Sequence, residues 1–194
     1  MKRLMVAVLI ATMILTISVA VYAKKEGAGQ SGKSNTGHLY LREKDPTTWE
    51  IVEDGAWGKM TYNLSGPEFD FVFNGHGLNP GEEYTLIYYP DPWPGTGLIC
   101  LGSGAANEGA DVHIKGSVDT GDMPAEGDEN EGAKIWLVLS GDVDCDAAQM
   151  VGWQPEEYLF EYDLITFADT GDVVAHPAPG RNTTTTTWAS IRAR

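Results

Sequence analysis

Gly75-His76-Gly77-Leu78-Asn79-Pro80-Gly81-Glu82-Glu83-Tyr84-Thr85-Leu86-Ile87-Tyr88-Tyr89 joins a turn of glycine and proline to an alternating aromatic segment. Glycine tolerates the positive φ, and proline pre-sets the φ, that a tight reversal needs. Side chains two apart share one face of a strand, so Tyr84, Leu86 and Tyr88 are predicted to line one face after the turn.

The same alternation runs upstream. Trp57 to Leu64 sets Met60, Tyr62 and Leu64 against Lys59, Thr61 and Asn63, and Phe69, Phe71 and Phe73 repeat the pattern after the turn Ser65-Gly66-Pro67. Each has the period of a half-buried strand. Leu39–Leu41 and Trp49–Val52, divided by Asp45-Pro46, read as an edge ribbon. Downstream, Leu98–Leu101 is a short apolar run, and Val112 and Ile114 alternate with His113 and Lys115. Ile135–Leu139 is wholly apolar, as a strand covered on both faces would be, and its Trp136 is assigned to the core. Tyr158–Phe167 reads as a last long strand, whereas the acidic, glycine-rich Asp119–Gly132 reads as a surface loop with Met123 its only core residue.

About seven strands from Trp57 onward, with turn signals at short intervals and no helical period, predict an all-β antiparallel two-sheet sandwich. Leu78, Pro80, Gly81 and Tyr84 form a Leu-x-Pro-Gly-x-x-Tyr pattern that resembles the tyrosine corner of immunoglobulin-like and fibronectin-type sandwiches. The resemblance implies that the Tyr84 hydroxyl ties the strand start to upstream backbone. The blocks Glu43–Glu50, Leu78–Tyr89, Gly95–Gly104, Gly152-Trp153 and Glu157–Tyr162 together resemble a family of uncharacterised secreted β-rich domains of archaea, notably methanogens. That resemblance covers roughly Leu39 to Phe167 and implies export and one β-rich domain, but brings no catalytic residues.

The ends differ from this middle. Met1-Lys2-Arg3 precedes a mostly apolar run from Leu4 to Ala23, with Val21 and Ala23 where a signal peptidase reads small residues. Residues 1–23 therefore read as a secretory signal, and the rival reading is an uncleaved membrane anchor. Residues 24–38 read as a flexible leader, 39–168 as the sandwich domain and 169–194, with Thr183–Thr187, as a threonine-rich tail resembling a stalk without an anchor. Lys2 and Arg3 belong to the signal, so the cleaved chain keeps 11 of its 13 basic residues against 28 acidic ones, a formal charge of −17. An acidic surface of this kind repels nucleic acid and anionic lipid. Secretion or display at the cell surface is the expected location, with a surface glycan or protein as the class of partner.

The two cysteines, Cys100 and Cys145, are expected to form one disulfide in an oxidising exterior, and they lack the Cys-x-x-Cys spacing of redox or metal thiols. Asn63-Leu64-Ser65 and Asn182-Thr183-Thr184 match the N-glycosylation acceptor pattern.

No complete catalytic signature is found. Gly102-Ser103-Gly104 lacks the nucleophile elbow and its helix. His38, His76, His113 and His176 show no zinc-ligand spacing. Asp142, Asp144 and Asp146 begin like an EF-hand, but Ala147 stands where glycine is required and Trp153 where the bidentate glutamate belongs. No cofactor is expected; a looser calcium site on those aspartates, or on Asp119, Asp122, Glu126 and Asp128, is the one metal reading left open.

The best binding candidate is Tyr89-Pro90-Asp91-Pro92-Trp93-Pro94-Gly95. Its prolines stiffen the loop, so Tyr89 and Trp93 can be presented at low ordering cost with Asp91 beside them as an acceptor, as sugar or peptide recognition requires. The commoner fate of such an aromatic is to fold back, and Trp93 would then plug one end of the sandwich. The residues thus favour a non-enzymatic module with a structural, adhesive or ligand-binding role. A secreted metal-dependent hydrolase is the alternative.

Overall fold

The computed structural model describes residues 34–171. The signal segment, most of the leader, the threonine tail and Asn182 lie outside those residues. Within them the strands are β1 (Thr36–Arg42), β2 (Trp57–Asn63), β3 (Ser65–Gly66), β4 (Phe69–His76), β5 (Glu83–Tyr89), β6 (Ile99–Ala105), β7 (Asp111–Val118), β8 (Lys134–Leu139), β9 (Val143–Asp144), β10 (Gln149–Met150), β11 (Phe160–Glu161) and β12 (Ala168–Asp169). The sheet pairing starts at Thr36, ahead of the Leu39 boundary read from sequence.

Two main sheets carry the domain. One is five-stranded in the order β11-β1-β2-β4-β7, the other three-stranded in the order β6-β5-β8, and both are antiparallel. Register aligns Leu39, Met60, Phe73 and Ile114 in one row across the first sheet, all buried. This apolar face shares one core with Tyr84, Leu86, Tyr88, Leu101, Ile135 and Leu137 of the second sheet. The result is an all-β, two-sheet sandwich, as the alternating segments require.

Tyr84 does what the turn motif implies: its hydroxyl accepts a hydrogen bond from the Asn79 backbone N–H at 3.2 Å. Burial raises the Tyr84 pKa above the ordinary tyrosine value, keeping the hydroxyl neutral. Tyr84→Phe is expected to cost about 1 kcal/mol by leaving Asn79 N–H without this partner. A urea-unfolding midpoint unchanged from the parent protein would show that the contact contributes nothing.

The structure corrects three readings. β5 alternates in sequence as if half-buried, yet Thr85, Ile87 and Tyr89 are as buried as Tyr84, Leu86 and Tyr88. The reason is a second layer: Ile87, Tyr89, Leu98, Trp136 and Val138 on the outer side of the three-stranded sheet pack against Val143, Met150, Tyr158 and Phe160. Next, Tyr158–Phe167 is not one long strand. Leu159 exchanges backbone hydrogen bonds with Leu137 of β8, whereas Phe160 and Glu161 pair with Arg42 and Leu41 of β1. The segment passes from one sheet to the other and fastens one side of the sandwich, which leaves Tyr162 and Leu164 exposed despite their place in the alternation. Finally, the 43–56 segment is a folded-back turn with one bridge, Lys44 to Ile51, rather than a ribbon. Among the described residues no helix is long and apolar enough to cross a membrane.

Candidate functional site

The second layer builds a cleft of about 700 Å³ on the outer side of the three-stranded sheet. Four of the six tryptophans line it: Trp49, Trp93, Trp136 and Trp153. Tyr89, Phe160, Lys44, Lys134, Asp91 and Glu161 complete the lining. A second depression of about 530 Å³, beside Asn35, Asn63 and Lys115, presents no exposed aromatic ring.

The floor comes from adjacent strands. Tyr89 at the end of β5 stacks on Trp136 of β8 with ring centres 3.9 Å apart and planes 12° from parallel. Phe160 meets Trp136 edge to face at 5.2 Å, a favoured aromatic geometry. The Trp136 indole N–H donates to Glu161 Oε2, which satisfies the one polar atom of this buried ring.

Three turn or loop segments are fastened by hydrogen bonds and an ion pair, and each sets a tryptophan on the rim. The proline loop is held by the Lys134–Asp91 ion pair, by the bond from Met150 N–H to the Pro94 carbonyl and by that from Gly97 N–H to the Ala148 carbonyl. Trp93 is therefore displayed, 52% exposed, and does not plug the sandwich. It meets Trp153 edge to face at 5.2 Å.

Trp49, 49% exposed, lies with its ring 5.2 Å from Phe160 and 6.2 Å from Trp153. Its φ of +60° lies in the left-handed region, costing a bulky residue about 1–3 kcal/mol. Asp45 holds the turn that imposes it: its side chain accepts from Thr47 and Thr48 N–H at 2.7 and 3.0 Å, and its carbonyl from Trp49 N–H at 2.7 Å. The backbone bonds from Thr48 and Thr47 also lower the Asp45 pKa.

Trp153, 41% exposed, depends on Asp142, one of the few buried polar residues at 7%. The Asp142 carbonyl accepts from Val151 and Gly152 N–H, and its Oδ2 accepts from Tyr158 Oη at 2.6 Å and Gln154 Nε2 at 2.9 Å. Gly152 is required there, because an added methyl would collide with the Asp142 carboxylate. Burial, reinforced by the bond to Asp142, raises the Tyr158 pKa. Burial and the neighbouring Asp91 push that of Tyr89 up to about 12, so both phenols stay neutral.

Glu161 is the polar centre of the cleft. Desolvation raises its pKa, against the opposing effects of a backbone hydrogen bond, Lys44, Trp136 and Lys134. A carboxylate whose folded pKa exceeds its unfolded one opposes folding when ionised: the penalty is full above the folded pKa and gone below the unfolded pKa. Glu161→Gln is therefore expected to raise the melting temperature at neutral pH, with the difference shrinking as the pH falls through the carboxylate range. Equal melting temperatures of the two proteins at neutral pH would contradict this.

Of the residues singled out in sequence, Tyr89, Asp91 and Trp93 all line the cleft, but in different roles: Tyr89 is buried floor, Asp91 is an ion-pair partner and Trp93 is displayed. Trp49, Trp153, Phe160, Lys44, Lys134 and Glu161 were not anticipated, and Trp136, assigned to the core, is also part of the cleft floor. Trp93 and Trp153 sit beside turn residues instead of within an alternating strand, and Trp49 follows the break at Asp45-Pro46.

The other candidates are dispersed. Cys100 and Cys145 are joined, with Cα atoms 5.8 Å apart. The Asn63 side chain faces its own turn, donating to the Ser65 and Glu68 carbonyls and accepting from Asp70 N–H. His38 bonds to Thr61 across β1 and β2, whereas His76 bonds to Asp111 and His113 to Asn74 in rows two apart on the β4–β7 pair. Asp142, Asp144, Asp122 and Asp128 each accept hydrogen bonds from the protein. Among the described residues, no group of three or more His, Cys, Asp or Glu side chains is placed to hold a metal ion. No family model, no curated protein and no solved structure matches the chain.

Proposed function

We propose that this protein is a secreted or cell-surface, non-enzymatic sandwich module of the immunoglobulin-like type that binds a ligand in the aromatic cleft. One observation carries the reading: residues far apart in sequence bring four indoles to one concave site, three of them substantially exposed. Exposed aromatic surface in a fastened cleft favours binding, since large rings bring contact area and little remains to be ordered. The Tyr84 corner supports the immunoglobulin-like type, and the disulfide supports an oxidising location.

The test is calorimetric titration of soluble wall glycans, peptides and divalent cations into the parent protein and Trp93→Ala. The bound probe is expected to lose about 1–3 kcal/mol of affinity in Trp93→Ala, the range of a hot-spot aromatic, with the melting temperature nearly unchanged. Affinity untouched by either Trp93→Ala or Trp153→Ala would move recognition away from the cleft, and chemical turnover of the probe would overturn the non-enzymatic part.

A further inference from the structure

Resting on the reading of the cleft as a binding site, we infer that its ligand is a neutral carbohydrate. A pyranose ring packs among the indoles of Trp49, Trp93 and Trp153, and its hydroxyls bond to Glu161 and to the Lys134–Asp91 pair.

Charge balance comes first. The cleft contains two ammonium groups, Lys44 and Lys134, and two carboxylates, Asp91 and Glu161. Lys44 Nζ already lies 5.9 Å from the centre of the Phe160 ring, a position an organic cation would seek. The two signs balance, so the cleft offers no net attraction to an ion of either sign. A neutral ligand therefore gives up no electrostatic attraction by carrying no charge, and it leaves the Lys134–Asp91 pair intact.

Hydrogen bonding narrows the class further. Carboxylates only accept and ammonium groups only donate, so a ligand that displaces water from both needs donors and acceptors side by side. Vicinal sugar hydroxyls supply both. An oligoproline segment has no backbone N–H, so it would cover Glu161 and Asp91 without giving them a donor, leaving desolvated polar groups unpaired. The apolar C–H face of a pyranose meanwhile matches the electron-rich faces of the indoles. The cleft volume lies inside the range of about 300–1,000 Å³ usual for small-molecule sites.

The rings are also prearranged. The Tyr89–Trp136 stack, the Asp142 hydrogen bonds to Tyr158 and Gln154 beside Trp153, and the turn that sets the Trp49 backbone are contacts internal to the fold.

The experiment titrates short linear oligomers of glucose, mannose, galactose and N-acetylglucosamine, with tetramethylammonium chloride and oligoproline as comparators, read by calorimetry and tryptophan emission. At least one sugar is expected to bind and shift the emission. Its affinity should fall about tenfold or more in Glu161→Gln, as loss of a charged hydrogen-bond acceptor predicts, and be abolished in Trp153→Ala. A purely structural role for Glu161 would not weaken binding while the melting temperature rises. Binding of tetramethylammonium or oligoproline with no sugar bound would overturn the carbohydrate assignment and leave the cleft as the site. Sugar binding indifferent to both substitutions would overturn the assignment and the cleft together. No binding of any sugar oligomer overturns the inference.

Discussion

Replacing Cys100 and Cys145 together by serine is expected to destabilise the domain by about 4 kcal/mol, since the bond closes a loop of 45 positions whose freedom the unfolded chain would regain. Cys145 is exposed and Cys100 only partly buried, so the serine hydroxyls stay hydrated and the loss reports the missing cross-link. The loop it closes includes β8 and ends in the layer that covers the three-stranded sheet. Loosening that layer should weaken ligand binding in the cleft as well, because Met150 and Trp153 follow closely in the chain. Guanidinium unfolding of parent and double variant measures the difference, and adding reductant should bring the parent to the level of the variant. A difference below about 1 kcal/mol would mean that the unfolded chain is already restricted or that the native bond is strained.

Asp142→Ala is expected to cost about 3 kcal/mol. The substitution removes two charge-assisted hydrogen bonds and leaves the hydroxyl of the fully buried Tyr158 without its acceptor. Tyr158 cannot compensate by turning to water, because it is packed with Phe160 and Trp153. Removing both partners should be milder: Tyr158→Phe combined with Asp142→Ala eliminates the orphaned donor, so the double variant should lose less than the sum of the singles. The second readout is functional, since Trp153 is the ring nearest this network and its emission should shift to that of a more solvated indole. A loss below about 1 kcal/mol, with emission unchanged, would show that Tyr158 finds another acceptor and that Asp142 does not position the rim.

Much of the scaffold is legible in the chain because it rests on short-range rules. Phe69, Phe71 and Phe73 point inward because side chains two apart share a strand face. Tyr84 reaches Asn79 because the intervening turn sets that geometry. The proline loop stood out in the chain as the candidate for display, but the commoner fate of such a ring, plugging the sandwich, is the reading that the exposed Trp93 overturns.

The cleft followed different physics. Periodicity states which residues of one segment share a face, but not what covers that face. Thr85, Ile87 and Tyr89 look like the outer side of β5 until the 140–160 segment folds over them, and Tyr158–Phe167 alternates like a strand although its backbone is divided between two sheets. The residues of the chain by themselves determined an all-β core, the turn that starts β5, the pairing of the two cysteines and one wall of the site. Only the tertiary structure decided that Trp49 and Trp153 join Trp93 and Trp136 around Glu161, because that meeting depends on long-range packing and on buried hydrogen bonds such as those of Asp142, which no local pattern encodes.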